Sequence, residues 1–168
     1  MRIREAHIDD VAGIARVHAD SWQETYVGLM PPHVIASRSF EQRMGVWQKA
    51  LSEPQAGDRV FVAEDASGRI NGFAKIGPKR DDAIPCSGEL HTLYLLRAAQ
   101  KTGMGAALFG AAMGALKDAG FTSAYCWVLA GNPAIGFYRR MGGVEASRRF
   151  FELEGARLED VAMLWREI

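Results

Sequence analysis

The sequence predicts a mixed α+β fold in a single domain spanning residues 1–168, and three observations predict it. Apolar residues switch several times along the chain between strand-like runs and helical spacing. The resulting order is strand, two helices, three strands, helix, strand, helix and two strands, which is not the regular alternation of a doubly wound sheet. A chain of this length can bury about 70% of the surface its unfolded form exposes, so one core suffices.

Arg2 to Ala6 alternates as a first strand. Asp9 and Asp10 place negative charge at the N-terminus of a helix whose apolar face is Val11, Ile14, Ala15 and His18, and which is expected to fade near Ser21. Pro31-Pro32 stops or starts the next helix. Phe40, Met44, Trp47 and Leu51 then form one helical stripe. Val60 to Glu64 and Ile70 to Ile76, joined by Asp65-Ala66-Ser67-Gly68, read as a hairpin. Gly77 to Ser87 carries Lys79-Arg80-Asp81-Asp82 and reads as a surface loop. Glu89 to Leu95 is nearly continuously apolar, as in a strand buried on both faces. From Gly105 onward, Leu108, Phe109, Ala112, Met113 and Leu116 recur at helical spacing, with Gly120 where a left-handed C-terminal residue belongs. Phe121 to Leu129 is a further strand. Gly131-Asn132-Pro133 introduces a short helix that Gly142-Gly143 ends, and Glu145 to Leu153 and Leu158 to Trp165 close the chain as an antiparallel pair turned at Glu154-Gly155.

Lys and Arg number 20 and so do Asp and Glu, and the pI is 6.9. This balance argues against bulk attraction to nucleic acid or to an anionic membrane. Cys86 and Cys126 are too few for a disulfide framework, and the four His show no ligand spacing with them, so free thiols and no metal are expected. The start, Met-Arg-Ile-Arg-Glu-Ala, lacks an apolar signal core, and no run approaches a membrane span. A cytoplasmic protein is the expectation.

Gln100-Lys101-Thr102-Gly103-Met104-Gly105 lies between a buried strand and a helix. The first turn of a helix has unpaired donors and a partial positive charge, and glycine lets an anion approach the backbone closely. The segment is therefore either a phosphate cradle or a plain glycine-containing turn. It is not a dinucleotide fingerprint, because Leu108 stands where the third glycine belongs, and no Walker Gly-Lys-Ser/Thr occurs in the chain.

Glu89-Leu-His-Thr-Leu-Tyr-Leu95 followed by Gln100-x-x-Gly103-x-Gly105 closely resembles the core motif of the GNAT superfamily of acyl-CoA-dependent N-acetyltransferases. Asn132-Pro-Ala-Ile-Gly-Phe137-Tyr138-Arg-Arg-Met-Gly142 is similar to that family's second motif. The resemblance covers essentially the whole chain. Many members carry Gly then Lys/Arg where this chain has Lys101-Thr102. Asn132 also stands one residue nearer Tyr138 than in many members, and Gly143 replaces an aromatic.

The resemblance implies a mostly antiparallel sheet of about seven strands, splayed between the fourth and fifth and flanked by about four helices. It implies acetyl-CoA as cosubstrate, with no metal. Backbone groups of Leu93, Tyr94 and Leu95 would pair with the pantetheine arm. Gln100, Lys101, Thr102, Gly103, Met104, Gly105 and Ala106 would hold the pyrophosphate, and Asn132, Ala134, Tyr138 and Arg140 would complete the cofactor site. At pH 7 only about one aliphatic amine in 10³ is neutral and nucleophilic, so a base is required. The resemblance assigns that role to Glu89, directly or through water, and the proton donor to the leaving thiolate to Tyr138. Phe137 is assigned to the core.

His91 shares the strand period of Glu89 and is either an alternative base or a polar residue flanking the cleft. Trp22 and Tyr26 resemble the family's acceptor-side wall, or are a core aromatic pair. No His accompanies Cys126, so direct transfer in a ternary complex is expected. The acceptor is expected to be a small primary amine, with a protein or peptide amine, or a non-catalytic acyl-CoA-binding module, as the alternatives. The family often pairs through its closing strands, so a homodimer is expected.

Overall fold

A computed structural model describes residues 1–168. The first helix, α1 (Val11–Tyr26), is longer than its sequence suggests. Trp22 and Tyr26 continue the spacing of Val11, Ile14, Ala15 and His18, so burying the stripe carries the helix five residues beyond Ser21. Ser21, which favours a helix end in isolation, turns its hydroxyl back to His18 O (3.2 Å). His18 is buried and accepts from the Trp47 indole N–H at 3.0 Å, and burial pushes its pKa down to about 3.

The remaining elements are β1 (Arg2–Glu5), α2 (Pro32–Ala36), α3 (Phe40–Ser52), β2 (Arg59–Glu64), β3 (Ile70–Pro78), β4 (Gly88–Leu95), α4 (Met104–Asp118), β5 (Ala124–Leu129), α5 (Ala134–Arg140), β6 (Val144–Leu153) and β7 (Ala156–Trp165). There are five α-helices rather than about four, because Pro32 starts the short α2. The fifth strand begins at Ala124 rather than Phe121. Phe121 is used by the end of α4 instead: with Gly120 left-handed, Phe121 N–H bonds Leu116 O (3.1 Å) and Gly120 N–H bonds Lys117 O (2.9 Å).

One sheet takes the order β1-β2-β3-β4-β5-β7-β6. All its pairings are antiparallel except β4 with β5. Both faces are covered, which explains the near-continuous apolar strands. On β2, Phe61 and Ala63 pack toward α4, while Val60 and Val62 pack toward α1 and α3.

The parallel pairing ends almost where it begins, after Gly88 with Ala124 and Glu89 with Tyr125. Beyond that point β4 stays with β3 through Leu95, while β5 stays with β7. The two central strands diverge, and the edge of β4 facing β5 has no strand partner from Leu90 on.

At the end of α5, Trp165 from β7 lies against Gly143. A Cβ added to Gly143 would sit 2.8 Å from Trp165 Cζ2 and 3.0 Å from Tyr138 O. The Trp165 indole donates to Met141 O (2.9 Å), which holds the ring in place. The indole thus occupies the space that a side chain at 143 would take.

Candidate active site

The divergence of β4 and β5 opens a cleft of about 790 Å³. At its mouth stands the turn into α4. Gly103 has φ +87° and Lys101 φ +61°, so two left-handed residues curl the chain before the helix begins. The glycine that many GNAT members carry at the second of these meets a backbone demand that Lys101 meets here with strain. A Cβ on Gly105 would have only ordinary contacts, 3.6 Å to Phe137 at the nearest, so the fold itself does not require glycine there.

Of the turn residues singled out in the sequence, Gln100, Lys101, Gly103, Gly105 and Ala106 line the cleft. Thr102 and Met104 do not. The Thr102 hydroxyl donates back to Ala99 O (2.8 Å), and the Met104 side chain is buried in the core under α4. Arg97, Lys101 and Arg140 make the mouth cationic, and the one carboxylate on the lining, Glu24, is already bonded to the Arg97 backbone N–H (2.6 Å).

Deeper in, Leu93, Tyr94 and Leu95 lie along the free edge of β4, opposite Asn132, Ala134 and Tyr138. Asn132 Oδ1 accepts from Ala134 N–H (2.8 Å), which fixes the entry to α5. Tyr138 is 6% exposed, with the Cys126 thiol beside its hydroxyl. Burial pushes both groups well above their usual pKa, so both keep their protons at neutral pH.

Glu89, the base that the resemblance suggests, is buried at the start of β4. Its side chain is 2% exposed and does not line the cleft. Both oxygens are engaged: Arg80 Nη2 lies 2.5 Å from Oε1, and Oε2 accepts from the Arg80 backbone N–H (2.9 Å) and the Tyr125 hydroxyl (2.7 Å). Burial alone would raise its pKa, but the Arg80 guanidinium and the Tyr125 hydroxyl outweigh it and hold the carboxyl below its ordinary value. Such a carboxylate ties the 79–87 loop to the parallel strand pair.

His91 lies beside Glu89, with 3.9 Å between Nε2 and Oε2. A register shift against β3 leaves it unpaired in the ladder. Its Nε2 is bonded to Pro78 O (3.1 Å), so this nitrogen carries the proton, and its Nδ1 is buried 4.0 Å from Asp58 Oδ1. Burial lowers its pKa and keeps it neutral.

On the other wall, Tyr26 lines the cleft and shares a 3.0 Å hydrogen bond with the Tyr94 hydroxyl. Trp22 does not reach the cleft; it packs edge-on to Tyr26 at 4.7 Å and carries Arg38 and Arg43 over its ring. Trp127, which the sequence reading passed over, lines the same cleft. Asp160 on β7 was passed over as well. It is buried opposite Leu129, and unlike Glu89 its pKa is raised, because burial outweighs the Arg149 guanidinium. The signal was there: an acidic residue inside the apolar run Leu158 to Trp165, in step with inward-facing Ala162 and Leu164.

The family profile described as "Acetyltransferase (GNAT) domain" matches residues 56–142. The uncharacterised N-acetyltransferase YuaI of Bacillus subtilis (strain 168) is 36% identical over 166 residues, covering 99% of this chain and 93% of that protein. Among solved structures, PaiA N-acetyltransferase from Thermoplasma acidophilum, in complex with coenzyme A, superposes with a TM-score of 0.70 at 21% identity, covering 97% of this chain and 96% of that one. The yncA protein of Salmonella typhimurium, with its cofactor acetyl-CoA, gives 0.71 at 19% identity, covering 98% and 92%. On the profile match and the Bacillus relative, with the splayed sheet to agree, the chain belongs to the GNAT acetyltransferase family.

Proposed function

We propose that the cleft binds acetyl-CoA and transfers its acetyl group to a small primary amine by direct attack in a ternary complex. The observation that carries this reading is the left-handed, glycine-containing turn with its cationic rim, standing where β4 leaves β5. The first-turn amides of α4 would hold the pyrophosphate, with Lys101 and Arg140 beside it. The free edge of β4 from Leu93 to Leu95 would take the pantetheine amides as a strand would. Acetyl-CoA supplies an acyl group on a good leaving sulfur.

The Tyr138 phenol, protonated and buried near Cys126, would return a proton to the departing sulfur. Glu89 in this reading holds Arg80, and with it the loop over the acceptor side, in place. Two free cysteines suit a reducing, cytoplasmic setting. The long exposed edge of β6, where Phe150 is 63% exposed, supports pairing of two copies, which sedimentation at micromolar concentration tests.

The functional test is a mass-spectrometric screen of amines and peptides with acetyl-CoA. A 42-dalton gain on a small amine is the expected result, the net mass of an acetyl group replacing a hydrogen by ordinary stoichiometry, at about 42. Transfer to peptides alone would move the acceptor class. Tight acetyl-CoA binding with no transfer across the panel would refute the enzymatic reading.

A further inference from the structure

Arg149 reaches from β6 over the outer face of β5. Its guanidinium lies 4.0 Å from the centroid of the Trp127 ring, with Nη1 3.1 Å from Asp81 Oδ2 and Nη2 3.4 Å from Asp160 Oδ2. An aromatic face beside a buried carboxylate is the chemistry that holds alkylammonium and guanidinium groups. The carboxylate is well hidden, at 12% side-chain exposure, yet this one long contact is the hydrogen bond that holds it.

Asp160 and Arg149 are not themselves among the residues that line the cleft, and the Trp127 ring joins them to it. Trp127 and Thr92 both line the cleft, and the indole N–H of one and the hydroxyl of the other are buried without a partner. Buried polar groups in folded proteins are nearly all paired. The Asp160 charge is also felt by the Tyr26 and Tyr94 hydroxyls on the facing wall, where it favours their neutral forms. Arg149 itself is 41% exposed, so an incoming cation that takes over its contact with Asp160 can release it toward water.

We infer that Trp127 and Asp160 form the seat for the cationic group of the acceptor, an alkylammonium, and that Arg149 is the internal cation it displaces. The inference rests on the reading that the cleft acetylates an amine, and it adds to that reading the residues that hold the acceptor's ammonium group before transfer. Burial, which raises the proton affinity of Asp160, makes a cation at this carboxylate more valuable.

The test uses the whole chain and butylammonium chloride as the probe, with butanol as the neutral isostere. The Asp160 carboxyl carbon and the Trp127 indole N–H are followed by NMR. Butylammonium should shift both signals saturably, and Arg149→Gln should bind it at least about 10-fold more tightly, the gain expected from removing one competing charge-assisted contact. Asp160→Asn should lose the response.

The inference is overturned if neither signal moves, if butanol moves them equally, or if Arg149→Gln binds no more tightly. Should Asp160→Asn fail to fold, the wild-type and Arg149→Gln titrations still decide. The cofactor reading fails separately: a parallel acetyl-CoA titration follows the Gly103 and Gly105 amides, and a flat response there with a responsive Asp160 would refute the cofactor site alone.

Discussion

Gly105→Ala separates the two reasons a glycine can stand at the mouth of the cleft. Gly105 is the second residue of α4, its φ is not positive, and an added Cβ would meet Phe137 at 3.6 Å and Leu95 at 3.8 Å, ordinary van der Waals contacts. Replacing a helical glycine by alanine gains about 0.5–1 kcal/mol, so the variant should be at least as stable as the wild type. The same methyl would stand in the path of a phosphate approaching the first-turn amides. Loss of one hydrogen bond to a charged group costs about 1.5–3 kcal/mol, or about 10- to 150-fold in Kd. Denaturant unfolding reads the first effect and calorimetry with acetyl-CoA the second. An unchanged Kd in a fully folded Gly105→Ala would refute the assignment of the turn. Gly103→Ala is the counterpart: nothing lies within 4 Å of its Cβ, but φ is +87°, so this variant should lose about 1 kcal/mol or more of stability.

Glu89→Gln should lose about 1.5–3 kcal/mol of stability, because it turns an amide toward Arg80 donors that now face a carboxylate. Its kcat, measured with a verified acceptor, should fall less than the roughly 10²-fold that removal of a base produces, and a larger fall at unchanged stability would restore the base role. Tyr138→Phe should keep acetyl-CoA affinity and lower kcat by about 10²-fold; wild-type turnover in the folded variant would remove Tyr138 from the mechanism. His18 sets an acid limit on stability. Its folded pKa of about 3 lies below the ordinary 6.5, so its contribution is present above pH 6.5 and is lost as pH falls toward 3. The difference of about 3.5 units, at about 1.4 kcal/mol each, amounts to about 5 kcal/mol. Denaturation midpoints that do not move between pH 7 and pH 4 would contradict it.

The glycine-containing turn into α4 was legible in the sequence because its requirements are local, except at Lys101, a left-handed residue whose side chain gives no sign of it. A left-handed backbone, a helix start and a small side chain each leave a mark in consecutive residues, and Gly103 and Gly105 carry those marks. The splay of the sheet was legible only through the family resemblance, since no pattern within β4 records where its neighbour departs. The path of α1 past Ser21 could have been read, because Trp22 and Tyr26 continue its spacing; an end near Ser21 is the local expectation, and tertiary burial overrides it.

Glu89 was beyond reach of the sequence for a different reason. Its state depends on Arg80, nine residues earlier, returning across a loop whose path no periodicity specifies. The same loop path brings Asp81 to Arg149, 68 residues away. A carboxylate's role is decided by such distant partners. The residue alone could be a base, an ion-pair anchor or a cation seat, and in this chain the surroundings hold the Glu89 carboxyl below its ordinary pKa and push that of Asp160 above it.

The contact between Gly143 and Trp165 implies a coupling between two positions that lie on different elements. One aromatic slab, the Trp165 indole, closes the end of α5, and together with Tyr138 O it fills the Cβ space at 143. Substitutions at the two sites should therefore be exchanged as a pair over evolutionary time. Relatives with a bulky residue at the position of Gly143 should carry a small one at that of Trp165, so a change that is harmful alone becomes neutral once its partner has changed.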